Sequence, residues 1–178
     1  MSEQLQSDFN KIVKNSKFSN KEIQLKKDFL NKFIESGFPN RKQEDWKFLD
    51  ISQIIKKNIS DLSYFIDYSQ SNKIDRFTFI DGLEHNKIIF LNGRIEKIDF
   101  SYEDKSKIEI SDESKKDISF NYENSLIDLN SAFTDKVFKI LVKKDYSLKK
   151  PLIIYHSTNN SIKSTNINLR LDFELGEN

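Results

Sequence analysis

The chain has 178 residues, with 29 basic side chains against 28 acidic, two histidines and no cysteine. That length suits one domain burying roughly two-thirds of its unfolded surface, and the missing cysteine excludes disulfides, thiolate metal sites and a cysteine nucleophile. Balanced charge argues against general nucleic-acid binding; with no apolar run long enough for a bilayer and no basic-then-apolar leader, the expected location is cytoplasmic, with neither membrane nor nucleic acid as partner.

Helical periodicity comes first. Leu5, Phe9, Ile12 and Val13 recur at the spacing of a short amphipathic helix. A second helix is announced by Ser19 as N-cap with Glu22 three residues on, the pattern of a capping box, flanked by Phe18 and Ile23 at staple positions. Its apolar face reads Leu25, Phe29, Leu30, Phe33 and Ile34. Gly37 suits a left-handed C-cap and Pro39 prevents continuation. Beyond that break, Asn40 is expected to cap a turn. Asp50 is expected to cap a third helical piece with Gln53 at its third position and Leu49 and Ile54 as staple. Trp46, the one tryptophan, then lies in a connector between helical pieces. Its ring is expected to cover a seam, its N–H to find a backbone acceptor, and Arg41 or Lys47 to lie over it.

Near residue 72 the period changes to that of strands. The stretch 76–80 alternates weakly. Ile88 to Leu91, Asn92-Gly93 and Arg94 to Phe100 together predict a hairpin, because Asn-Gly takes the positive φ angles that a tight two-residue turn requires. Residues 101–125 read as polar loops around one or two short strands. The stretches 137–142 and 151–157 are rich in branched and aromatic residues and predict strands, with Pro151 at a strand start. Finally Ile167, Leu169, Leu171, Phe173 and Leu175 alternate with polar residues as in a half-buried strand. The reading is α+β: an amino-terminal helical region over 1–70, then a mainly β region over 71–178.

A search for chemistry returns no set of residues that carries a reaction. His85 sits in an expected solvated turn, and His156 in a strand, inward or at its end. Neither has metal-ligand spacing around it or a nucleophile in a recognisable elbow. The single glycine of Asn92-Gly93 is no phosphate loop. Lys143, Lys144, Lys149 and Lys150 cluster near Tyr146 and Tyr155, which reads as a solvated turn between strands. No catalytic, cofactor-binding or metal residue is assigned, and the chain is expected to be non-enzymatic.

Four stretches do form a pattern. Gly37, Phe38, Pro39, Arg41, Glu44, Asp45, Trp46, Lys47 and Phe48 resemble the signature that follows a helix in SufD. Phe90, Asn92 and Gly93 look like the Phe-x-Asn-Gly strand of the SufB/SufD family, residues 129–133 like its Leu-Asn-x-Ala-Phe, and residues 150–160 like the start of its large β domain. The resemblance covers most of this chain but only the first half or less of a typical family member. It implies an amino-terminal helical domain leading into a right-handed parallel β-helix, truncated here. It also implies SufB-like and SufC-like partners in the full-length context, in a complex that assembles iron–sulfur clusters. A stacked coil left without its neighbour exposes an edge, so either self-association or capping by the chain's own hairpin is also expected. The alternative reading is an independent β-rich module that binds protein or glycan.

Overall fold

The structure, a computed structural model, describes residues 2–59, 61–68, 77–113, 124–159, 162 and 164–176. Contacts divide the chain into two units, 1–66 with 114–135 and 164–169, and 67–113 with 136–163 and 170–178.

The first unit is helical. Helices α1 (Ser2–Asn15) and α2 (Asn20–Ser36) precede a single 3₁₀ turn (Glu44–Trp46) and α3 (Ile51–Asn58), and the chain later returns with α4 (Ser125–Phe133). The expected capping box forms in full: Glu22 N–H donates to Ser19 Oγ, and Ser19 N–H donates to the Glu22 carboxylate at 2.7 Å. Gly37 closes α2 with φ 68°, a left-handed angle cheap for glycine, and its N–H reaches the Phe33 carbonyl at 2.7 Å. Asp50 caps α3 by accepting from Gln53 N–H at 2.9 Å. Leu49 and Ile54, the staple pair read from the sequence, stay largely exposed.

Leu5, Phe9 and Ile12 of α1 and Phe29, Leu30 and Phe33 of α2 enter one core with Leu129, Ala132 and Phe133 of α4. Each such side chain contributes on the order of 1.5–3 kcal/mol when fully buried. Phe133 meets Phe9 edge-on at 6.2 Å and Tyr64 at 5.1 Å. Ile34, expected on the apolar face of α2, is 37% exposed, while Lys26 takes a core position at 4%.

Among its described residues the second unit carries six strands: β1 (Asn86–Leu91), β2 (Arg94–Asp99), β3 (Ile108–Glu113), β4 (Val137–Val142), β5 (Leu152–Ser157) and β6 (Arg170–Leu175). They form two three-stranded sheets, ordered β2-β1-β5 and β3-β4-β6. In each, the central strand pairs antiparallel on one side and parallel on the other. β1 is buried on both faces, with Ile88, Ile89 and Phe90 fully covered, and Phe90 packs edge-on against Phe138 of the other sheet at 5.3 Å.

This overturns the expected β-helix. A solenoid coil stacks parallel strands on every side and curls back on itself. Here an antiparallel pair occupies half of each sheet, and neither sheet closes or curls strongly. The hairpin chemistry of Asn92-Gly93 enforces the first of those pairs. Residues 77–80 form no strand, and 76 lies outside the described residues. The last strand is also shorter than its alternating pattern. Residues 166–169 are irregular, and Phe173 and Leu175 stand 50% and 72% exposed.

Candidate functional site

The region around Trp46 is built by local bonds. Asn40 folds the chain back, with Lys42 N–H on its side-chain oxygen at 3.0 Å and Gln43 N–H on its carbonyl at 3.1 Å. Trp46 N–H then donates to Gln43, and the Trp46 carbonyl accepts from Leu49 N–H at 2.8 Å. Pro39 is fully buried, and its carbonyl accepts from Ile51 N–H, which ties the break to the start of α3. The indole itself is half-exposed and donates no hydrogen bond among the described residues. Lys47 lies over Phe48, at 5.4 Å, rather than over the indole, and Phe48 is 87% exposed. The segment thus presents aromatic surface at Phe48.

The Asn-Gly turn is anchored as well as tight. Asn92 and Gly93 both take positive φ, 53° and 82°. Asn92 is buried. Its N–H donates to the Ser157 carbonyl, its side-chain oxygen accepts from Asn159 N–H at 3.1 Å, and its side-chain amide donates to Asn159 Oδ1. A β-turn residue here also locks the end of β5.

His85 departs from the solvated turn expected of it, and His156 takes the strand-end rather than the inward alternative, next to last in β5. His85 is buried at 2% exposure; Nδ1 faces the Leu83 carbonyl and Nε2 faces the Tyr155 hydroxyl at 2.7 Å. A carbonyl only accepts, so Nδ1 carries a proton; in the neutral ring Tyr155 O–H then donates to Nε2, while Ile80 N–H donates to the same hydroxyl at 3.2 Å. His156 is exposed and stacks on the Phe90 ring at 5.1 Å. The stacking follows from the parallel pairing of β1 with β5, in which His156 is the neighbour of Phe90.

Three buried charges organise the two units, and none was singled out from the sequence. Asp8 accepts from Gln4, Lys11, Ser63 Oγ and Tyr64 N–H. Burial alone would raise its pKa, but these bonds and the Lys11 charge bring it below the ordinary value. Lys26 reaches from α2 to the carbonyls of Ser131 and Thr134, where it caps the carboxy-terminal end of α4. Burial depresses its pKa to about 8, against the opposing pull of Asp135 and Glu22. Glu103 accepts from the Asn86 side chain, from Tyr146 O–H and from the backbone of Lys149 and Lys150. Burial works to raise its pKa, yet the four donors hold it down at about 2.

The lysine cluster read from the sequence is drawn into these bonds. Lys150 pairs with Glu84 and Lys143 with Glu109, while Lys149 and Lys150 give their backbone N–H groups to Glu103. Between β2 and β3 lies an open groove of about 290 Å³, of mixed polar and apolar lining, formed by Ile98, Asp99, Phe100, Lys105, Ile108 and Ile110. Its size is at the lower edge of small-ligand sites, roughly 300 Å³ and upward. Among the described residues no group of three or more His, Cys, Asp or Glu side chains is placed to hold a metal ion. None of their helices is long and apolar enough to cross a membrane.

No family model matches the chain. No curated protein matches it either. The SufD likeness therefore has its support in the four quoted stretches. A β-helical scaffold, which that likeness also implied, is contradicted by the sheet topology.

Proposed function

We propose that this chain serves as a non-enzymatic structural part of an iron–sulfur cluster assembly complex of the SufBCD type, in the cytoplasm, with SufB-like and SufC-like proteins as its partners in the full-length context. The observation that carries this reading is the order of four stretches, from Gly37-Phe38-Pro39 through Trp46, Asn92-Gly93 and Leu129–Phe133 to the strand after Pro151. Their residues do framework work: Gly37 ends α2, Asn92 and Gly93 turn β1 into β2, Ala132 and Phe133 fill the helical core, and Pro151 accepts from Asn86 N–H at the head of the parallel β1–β5 pair. Such roles suit a component that holds partners in place.

The test is depletion of the protein carrying this chain in its own cells, followed by assay of cluster occupancy in iron–sulfur enzymes. Occupancy is expected to fall and to return when the protein is restored. Unchanged occupancy after complete depletion contradicts the reading.

A further inference from the structure

Asn92-Gly93 is a pair of residues whose chain can react with itself. Glycine has no Cβ to shield its nitrogen, so that nitrogen can reach the Asn92 carboxamide carbon and close a five-membered ring. The fold opposes this closure twice. First, the left-handed turn, with φ 53° at Asn92 and 82° at Gly93, sets the Gly93 nitrogen on the far side of the Asn92 Cα–C bond from Cβ. Second, both ends of the carboxamide are engaged by one residue. The side-chain amide donates to Asn159 Oδ1 at 3.2 Å, and the side-chain oxygen accepts from Asn159 N–H at 3.1 Å. The main chain of Asn92 is held as well: its N–H donates to the Ser157 carbonyl at 2.9 Å, and its carbonyl accepts from Tyr68 O–H at 3.1 Å. Asn92 is 1% exposed under these bonds.

We propose that Asn92 is a site of spontaneous covalent modification held in check by Asn159: when the turn and the Asn92–Asn159 pair open together, the side chain loses ammonia and the residue becomes aspartate or isoaspartate. The Gly93 N–H gives its proton to hydroxide or buffer base as the nitrogen bonds to Asn92 Cγ. The Cγ–Nδ2 bond breaks, and Nδ2 takes a proton and leaves as ammonia. Water then opens the cyclic imide. Addition at Cγ breaks the bond from Cγ to the Gly93 nitrogen and leaves aspartate. Addition at the main-chain carbonyl carbon breaks the original peptide bond and leaves isoaspartate. Nothing is oxidised or reduced. Either product undoes the clamp, because a carboxylate only accepts and brings no donor to Asn159 Oδ1. Isoaspartate also places an additional methylene in the main chain, which a two-residue turn between paired strands does not accommodate. The effect reaches β5, whose last residue, Ser157, is tied to the turn through Asn92 N–H.

The experiment is timed incubation of the intact chain at mildly alkaline pH, folded and in urea, with peptide mapping by mass spectrometry that counts aspartate and isoaspartate at position 92 separately. The wild type is compared with N159A, which removes the side-chain acceptor but keeps the main-chain donor, and with N159D, which keeps an acceptor oxygen there. Folded wild type is expected to convert slower than the same chain in urea by roughly tenfold or more, since only the opened turn reacts. Folded N159A is expected to convert faster than folded wild type by roughly three- to tenfold, the effect of one lost hydrogen bond on the open fraction. N159D is expected to stay near the wild-type rate, and all three chains to convert alike in urea. A folded wild type that converts as fast as the unfolded chain overturns the proposal, as does N159A converting no faster than wild type or N159D converting as fast as N159A. Amide exchange of Ile88, Ile89 and Phe90, buried in the strand before the turn, separates local opening from loss of the whole unit. Protection there is expected to survive in N159A, and faster conversion accompanied by its loss overturns the assignment to the Asn92–Asn159 pair.

Discussion

Charged residues inside this protein act as joints, and each is held by groups remote in sequence. Glu103 is the clearest. Its carboxylate gathers Asn86, Tyr146 and the backbone of Lys149 and Lys150, so it fixes the loop before β5 against the start of β1. Its pKa lies at about 2 in the folded chain against an ordinary 4.5, so the folded state binds its proton less readily than the unfolded state does. The stability it contributes is fully present above pH 4.5 and is lost as the pH falls through 2. Glu103→Gln is expected to cost about 1–3 kcal/mol at neutral pH, because an amide replaces an acceptor-only group facing four donors. The variant is also expected to lose less stability than the wild type between pH 4.5 and 2. Denaturant unfolding at a series of pH values checks both, and parallel curves would contradict the assignment. These joints were not legible beforehand. Nothing near Lys26 announces the α4 carbonyls, which come from 105 and 108 residues away. His85 likewise owes its burial and its partner to Tyr155, 70 residues on.

Elements defined by local chemistry were legible, and those defined by distant pairing were not. The α2 capping box, the Asp50 cap and the Asn-Gly hairpin all rest on residues within four positions of one another, and all three form. The same hairpin carries one bulge, between Ile89 and Phe90, which alternation alone does not locate. α4 escaped notice because its nine residues lie between polar loop and strand and are apolar on most sides. The parallel partners of β1 and β4 come from β5 and β6, so the sheet order could not be read from any local pattern. The end of β6 shows how close that pairing is. Gly176 N–H donates to the Val142 carbonyl, and a Cβ on Gly176 would stand 2.3 Å from the Lys144 backbone nitrogen. Gly176→Ala is therefore expected to destabilise the second unit by about 1–3 kcal/mol through enforced displacement of backbone. Thermal unfolding measures it, and an unchanged midpoint would contradict so close an approach.

At the scale of the whole molecule, two units share one chain in alternation. The helical unit takes residues 114–135 and 164–169 from between strands, so neither is a simple half of the sequence. The short segment 61–66 belongs with them: Ser63 bridges to Thr165, and Ser63 and Tyr64 both donate to Asp8. Exposed large apolar side chains occur in both units, among them Phe48, Leu49 and Ile54 in the first and Ile80, Leu83, Ile98, Phe173 and Leu175 in the second. The most direct measurement of the central claim is affinity purification, from its own cells, of the protein that carries this chain. The account predicts recovery of a SufB-like protein and a SufC-like ATPase in fixed proportion to it. Recovery of the protein without either of them would contradict the account.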